Sequence, residues 1–268
     1  MNGDPNAKIE QIIDQGYDFK FGDYIGRGFD ILQKNFGGFI LFSILSVLIM
    51  GVVIFIPFLG MMAVFLLLGP ALMAGIYIVA HKLRRGEPTE FGDFFKGFDF
   101  AGQLILVSLV SFLIGQILSI PYYLANAELY SWYMEIIQEM MSGSGNIADI
   151  AEYGEPPQPS AWTYLLMIPS IYISVAYNWA ILFVVFYRMK FWDALEASRK
   201  VITKNWFMVF LFLIVAGLIM IAGAFLFCIG IFVTFPAYLC MNYAAFEDVT
   251  RLNTDPGEDE NIEQHLIV

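Results

Sequence analysis

"NFGGFILFSILSVLIMGVVIFIPFLGMMAVFLLLGPALMAGIYIVA", Asn35 to Ala80, contains no charged residue. A single helix cannot account for it. At 1.5 Å per residue its roughly 43 apolar residues would reach about 65 Å, twice the ~30 Å of a bilayer's hydrocarbon core. The run has to fold back, and "IPFLG" at Ile56 to Gly60 puts Pro and Gly at its midpoint, where a tight turn is expected. Three more charge-free runs follow: Phe100 to Ala127, Pro156 to Tyr187, and Asn205 to Phe246. The last has hairpin length again, with "CIGIF" (Cys228 to Phe232) near its centre. Stretches of about 18 or more apolar residues are membrane-span candidates. The expected fold is therefore an all-α membrane protein of six crossings, at about 37–57, 60–80, 101–124, 161–187, 206–227 and 229–246.

Composition agrees. The 268 residues are 59% hydrophobic and 15% charged, with a mean hydropathy of +0.67. Soluble domains carry about 25% charged residues. A net charge of −11 argues against a nucleic-acid partner, because phosphate binding needs a basic face. Cys228 and Cys240 both lie in the last apolar run and read as packing residues, not as thiol chemistry. The first ~35 residues are polar and mixed, so no cleavable signal is expected.

Lysine and arginine set the orientation. Lys8, Lys20, Arg27 and Lys34 precede the first hairpin. Lys82, Arg84, Arg85 and Lys96 follow it. Arg188, Lys190, Arg199, Lys200 and Lys204 separate the fourth and fifth crossings, and Arg251 follows the sixth. In a six-crossing arrangement all 14 share one side, while the loop 125–160 has none and holds acids instead. The positive-inside rule then places both termini in the cytoplasm, at a bacterial inner membrane. The domain reading is a polar N-terminal tail at 1–16, a membrane domain at 17–246, and an acidic, solvated cytoplasmic tail at 247–268. Within the outer loop, Ala127 to Met141 reads as a helix.

The two hairpins resemble each other. "LQKNFGGFILF" (Leu32 to Phe42) matches "ITKNWFMVFLF" (Ile202 to Phe212), and "GPALMAGIYIVA" (Gly69 to Ala80) matches "FPAYLCMNYAAF" (Phe235 to Phe246). Pro70 falls on Pro236 and Tyr77 on Tyr243. Both hairpins start on the same side, so the repeat is parallel and flanks crossings three and four. Each proline removes one helix hydrogen bond and is expected to kink its crossing, as a hinge or as fixed shape.

Every segment leading to an odd-numbered crossing begins with Phe-x-Asp: Phe21-Gly22-Asp23, Phe91-Gly92-Asp93 and Phe191-Trp192-Asp193. The aspartate is expected to N-cap a helix, with the aromatic as a hydrophobic staple. Apolar residues then recur at helical spacing (Tyr24, Phe29, Leu32 and Phe36; Ala194, Ala197, Val201 and Ile202) with Lys and Arg between them. This is the pattern of a helix lying in the headgroup layer. Phe21, Asp23, Arg84, Arg85, Phe91, Asp93, Lys96, Trp192 and Asp193 are accordingly the candidate contacts for membrane lipid or for a partner membrane protein, self-association included.

"KLRRGEPTEFGDFFKGFDF" after the first hairpin and "DALEASRKVITKNW" before the last resemble a broad bacterial superfamily of six-helix integral membrane proteins. It includes families related to the membrane domain of glycerophosphodiester phosphodiesterases. A "rGe…dlF.gF" loop and an "al..S..l.k.n" segment recur there. The resemblance spans most of Phe21 to Phe246, implies the six-helix fold and implies no reaction.

Membrane enzymes and pumps carry ionisable groups within their crossings, and these crossings have none. Their strongest polar groups are Gln103, Gln116, Asn178 and Asn242. Asn178 and Asn242 fall in the same half of the bilayer and are expected to face one another, either as packing or as a substrate-contacting pair. No nucleophile triad, metal-ligand cluster or phosphate loop is present, so no catalytic residue, metal or cofactor is expected. Two readings remain. One is a non-enzymatic accessory or scaffold that binds lipid or membrane proteins. The other is a transporter or lipid-handling carrier with a cavity between the hairpins.

Overall fold

The computed structural model describes residues 5–57, 59–142, 154–225 and 230–253. Among them there is no strand. The helices are α1 (Pro5–Gln15), α2 (Phe21–Lys34), α3 (Phe36–Ile54), α4 (Leu59–Ala63), α5 (Gly69–Arg84), α6 (Ala101–Ala125), α7 (Ala127–Met141), α8 (Ile168–Ala176), α9 (Ala180–Tyr187), α10 (Phe191–Lys204), α11 (Trp206–Phe225) and α12 (Ile231–Val249). A π turn at Val64–Leu68 joins α4 to α5, and 3-10 helices at Phe91–Phe100 and Ala161–Met167 lead into α6 and α8. The chain divides into two compact units, Met1–Leu109 with Val175–Val268, and Val110–Ser174.

Among the described residues five segments are long and apolar enough to cross a membrane: Phe36–Ile54, Leu59–Arg84, Phe91–Ala125, Ala161–Tyr187 and Trp206–Phe225. The expected sixth, α12, has the length but is more polar, because it carries Asn242, Glu247 and Asp248. It is also the most enclosed helix, with Pro236 and an unbroken run from Leu239 to Glu247 buried. The first fold-back falls where the Pro-Gly signal put it, between Ile54 and Leu59. The second, at "CIGIF", lies partly outside the described residues.

Ahead of Pro70 the helix widens into the π turn, and the Gly69 N–H bonds to the Val64 carbonyl five residues back. A proline ring in a regular helix collides with the carbonyl four residues back. One inserted residue shifts that carbonyl, so Leu59–Arg84 continues through the proline.

In the larger unit α12 packs against α2, α11, α3 and α5. The Phe-rich 3-10 segment Phe91–Phe100 lies directly on α5. Two glycines permit this. A Cβ on Gly75 would collide with the Phe94 carbonyl, and one on Gly97 with the Ala71 carbonyl. Phe94 is fully buried, stacked on Phe42 at 4.6 Å and edge-on to Phe39 at 5.4 Å.

The helix starts differ from the expected caps. In all three Phe-x-Asp phrases the phenylalanine is the first helical residue, so Asp23, Asp93 and Asp193 stand at the third position. Helix formation begins three residues earlier than the cap reading requires. An acid there still complements the helix dipole, and Asp93 reaches back to accept from the Glu90 N–H at 2.9 Å.

The apolar faces of α2 and α10 also depart from the headgroup-layer reading. Tyr24, Leu32, Ala194, Ala197, Val201 and Ile202 are buried, against α12 for α2 and against α9 and α1 for α10, while Phe29 is half-buried and Phe36 exposed. Protein, not lipid, covers the buried ones. The expected polar tail at 1–16 contributes α1, whose Ile9 and Ile12 are buried. At the other end α12 runs past the expected boundary at 246 to Val249. Residues 254–268 of the acidic tail lie outside the described residues.

In the smaller unit α7 occupies the range expected for the outer-loop helix. Asn126, between α6 and α7, donates to the Tyr122 carbonyl at 2.8 Å, and its oxygen lies 3.3 Å from the Thr163 hydroxyl.

Replacing Gly97 or Gly75 with Val is expected to destabilise the protein by about 1–3 kcal/mol through overpacking, read as a lower Tm in detergent. Gly92→Val, where nothing stands within 4 Å of the new Cβ, is the control and should melt close to wild type.

Candidate functional site

The fourth apolar segment does not run as one helix. It stops at Ala176, turns through Tyr177 to Trp179, and restarts as α9. A break in a buried helix leaves backbone groups that must find partners. Ser198 of α10 supplies them: its Oγ accepts from the Trp179 N–H at 3.1 Å and donates to the Ala176 carbonyl at 2.7 Å. The serine is fully buried.

The same turn presents Asn178 and Trp179 to α12. Asn242 Oδ1 accepts from Asn178 Nδ2 at 2.8 Å and from the Trp179 indole at 2.9 Å. Asn242 Nδ2 donates to the Tyr77 hydroxyl of α5 at 3.0 Å. The structure thus brings the two asparagines together, as their shared depth implied. It adds Tyr77, Trp179 and Ser198, which sequence reasoning did not select. Tyr77 had a signal in the repeat, as the partner of Tyr243, whose hydroxyl lies 2.8 Å from His81 Nδ1.

A charged layer closes the end of α12. Arg84 bonds Glu247 at 2.9 Å, and Asn253 also donates to Glu247. Asp248 accepts from the Tyr24 hydroxyl at 2.8 Å and from Arg27 at 3.2 Å, with Lys20 at 3.7 Å. Arg27 also pairs with Asp23 at 2.6 Å. Burial pushes the Tyr24 phenol above its ordinary value, and the Asp248 carboxylate adds to the rise. Burial opposes the Arg27 charge, but Asp23 and Asp248 outweigh it and hold its pKa above the guanidinium value. Lys20, Arg27, Arg84, Arg251, Glu247 and Asp248 line a cleft of about 430 Å³, within the usual range for ligand cavities. Glu247 and Asp248 had been assigned to the tail; they are its principal anions.

The other expected contact residues are scattered. Asp93 is buried and bonds Lys82 at 2.7 Å and Lys96 at 2.5 Å. Phe91 sits edge-on to Phe42 at 6.4 Å, and Phe21 edge-on to Phe212 at 5.7 Å. Arg85 pairs with Glu87 at 2.7 Å. Trp192 and Asp193 are exposed. Gln103 accepts from the Phe191 N–H at 2.7 Å and so caps α10. Among the described residues no three His, Cys, Asp or Glu are placed to hold a metal ion.

Several long apolar helices, with their large side chains turned outward, define a multi-pass integral membrane protein. The comparisons with known proteins agree: residues 57–120 match the family described as "Predicted integral membrane protein (DUF2189)". That stretch holds α5, the Phe-rich segment, and the Gly75 and Gly97 contacts. It does not connect the chain with glycerophosphodiester phosphodiesterase membrane domains or with bacteria. No curated protein and no solved structure matches the chain.

Asn242→Leu leaves the Trp179 indole, the Asn178 amide and the Tyr77 hydroxyl short of a partner, each worth about 1–3 kcal/mol when buried. Asn178→Leu leaves the Trp179 bond in place. The expected order of melting temperatures in detergent is wild type, then Asn178→Leu, then Asn242→Leu well below. Equal losses would contradict the hub role of Asn242.

Proposed function

We propose that the protein crosses a bacterial inner membrane six times, with both termini in the cytoplasm, and acts as a non-enzymatic accessory or scaffold that holds lipid or a partner membrane protein. The observation that carries this reading is the state of the intramembrane polar pair. Asn242 is 1% exposed, and its oxygen and its amide nitrogen are both engaged by side chains of the same chain. A substrate-contacting pair has to present free donors or acceptors to a cavity, so the carrier reading loses its best residues.

The sixth crossing is α12. Its polar residues face protein, which is how a helix of low hydropathy is accommodated in a bilayer. With it, all 14 Lys and Arg lie on one side, as the positive-inside rule asks. The flanking elements support the internal repeat. Both α2 and α10 have 14 residues, open on Phe-x-Asp and close on Lys. Each is followed by an asparagine corner, Asn35 or Asn205, whose N–H bonds to the carbonyl three residues back. The charged cleft at the end of α12 offers a partner protein a face of mixed sign.

Two measurements test this. Cysteines introduced as Arg85→Cys and Gln158→Cys should label from opposite sides, Arg85→Cys only after the inner membrane is opened; labelling of Arg85→Cys from outside would overturn the topology. Native mass spectrometry of the gently extracted protein should show retained lipid or a partner chain. A bare protein that instead moves solute across proteoliposomes would restore the carrier.

A further inference from the structure

We propose that a cavity at the junction of the Phe-rich segment and the end of α9 binds a phosphoethanolamine group, carried by a membrane lipid. Asp99, Phe100, Gln103, Val184, Arg188 and Met189 line it, and its volume is about 290 Å³. That is at the small end for ligand cavities, enough for a headgroup and not for a whole lipid. The inference rests on the lipid-holding reading above and names the ligand.

The first ground is position. Phe100 opens one charge-free run and Arg188 ends another, at Tyr187. The Arg188 guanidinium lies 4.3 Å from the centre of the Phe100 ring, so the two boundaries meet at one level. Where apolar segments give way to charge is where headgroups sit. Exposed Trp192 lies four residues beyond Arg188, an aromatic of the kind enriched at that depth.

The second ground is unmet chemistry. Among the described residues neither Arg188 nor Asp99 forms an ion pair. Arg188 is held over a ring, which fixes the guanidinium without neutralising it. Gln103 uses its oxygen on Phe191 and keeps two amide hydrogens to donate. One cation and an amide donor suit a phosphate, with planar guanidinium able to bind it in bidentate fashion. One carboxylate suits an ammonium. A purely anionic headgroup would be repelled by Asp99, whose nearest cation on its own segment, Lys96, is already paired with Asp93.

The third ground is backbone. Arg188 ends α9 in the left-handed region, at φ 53°, the place where glycine is the ordinary choice. A side chain kept at a strained position points to use. The charged cleft at the end of α12 differs, since its carboxylates already answer cations of the same chain.

The test uses the full chain in detergent micelles, with dioleoyl phosphatidylethanolamine, dioleoyl phosphatidylglycerol or soluble O-phosphoethanolamine added, read by native mass spectrometry and thermal shift. Wild type should retain the ethanolamine lipid about tenfold more tightly than the glycerol lipid. Arg188→Gly removes the guanidinium while giving the backbone the residue it favours. It should melt no lower than wild type without lipid and lose the lipid shift. Asp99→Asn should bind the two lipids alike. Full retention by Arg188→Gly, or an unchanged preference in Asp99→Asn, overturns the site. Equal protection by O-phosphoethanolamine overturns the lipid as its source. Retention of a different lipid or of a partner chain, without these effects, overturns this inference and leaves the accessory reading standing; retention of nothing removes that reading as well.

Discussion

The broken fourth segment sets the terms for the rest of the larger unit. A helix interrupted at Tyr177 to Trp179 frees backbone groups that no solvent reaches. Ser198 answers two of them, which requires α10 to lie against α9. The turn also projects Asn178 and Trp179, which require an acceptor, and Asn242 provides it from α12. Asn242 then needs one of its own, and Tyr77 on α5 closes the set. A single interruption thus fixes the approach of α5, α10 and α12, through bonds that in membranes contribute roughly 0.6–2 kcal/mol each. Stability from such bonds is modest. The cost of leaving one unmade is larger, so the arrangement has one register and not several.

The charges follow the same logic one turn further along α12. Glu247 and Asp248 are held by Arg84, Arg27, Lys20 and Tyr24 from α5, α2 and the stretch before α2. Exposed ion pairs are worth little, but Glu247 is 6% exposed and cannot be left alone. The layer locks α2 across the end of α12. It also explains why an amphipathic helix that reads as membrane-surface has its apolar face on protein. Amphipathicity specifies that one face must be covered and is silent on what covers it.

That distinction separates what was legible in the sequence from what was not. The charge-free runs gave the apolar segments and the first turn, because length and hydropathy are local properties. The depth of Asn178 and Asn242 gave their pairing, because two polar groups at one level of an apolar bundle have few alternatives. The helix starts lie three residues ahead of the cap reading, since an acid is favourable at the cap and at the third position alike. The acids at 247 and 248 were read with the tail because composition averages over the tail's own acids. Trp179 and Ser198 carried no pattern at all: their role exists only because the helix breaks, and an unbroken apolar run does not announce a break.

The Phe-rich phrase Phe91 to Phe100 shows how one motif can serve three ends. Its glycine and Phe94 press it onto α5, where Gly75 admits the backbone. Its Asp93 gathers Lys82 and Lys96. Its final ring, Phe100, supports Arg188 at the foot of α9. The related phrases opening α2 and α10 keep the phenylalanine and the aspartate but make ordinary α-helices. Only the middle copy is a 3-10 helix, and its partner helix carries a glycine, Gly75, at the contact; in the first copy it is α2 itself that brings a glycine, Gly28, against the backbone of α12 at Met241. Its narrower winding then places Asp99 and Phe100 beside the end of α9. The same few residues that make the phrase a structural clasp therefore set out the groups of the cavity at its end.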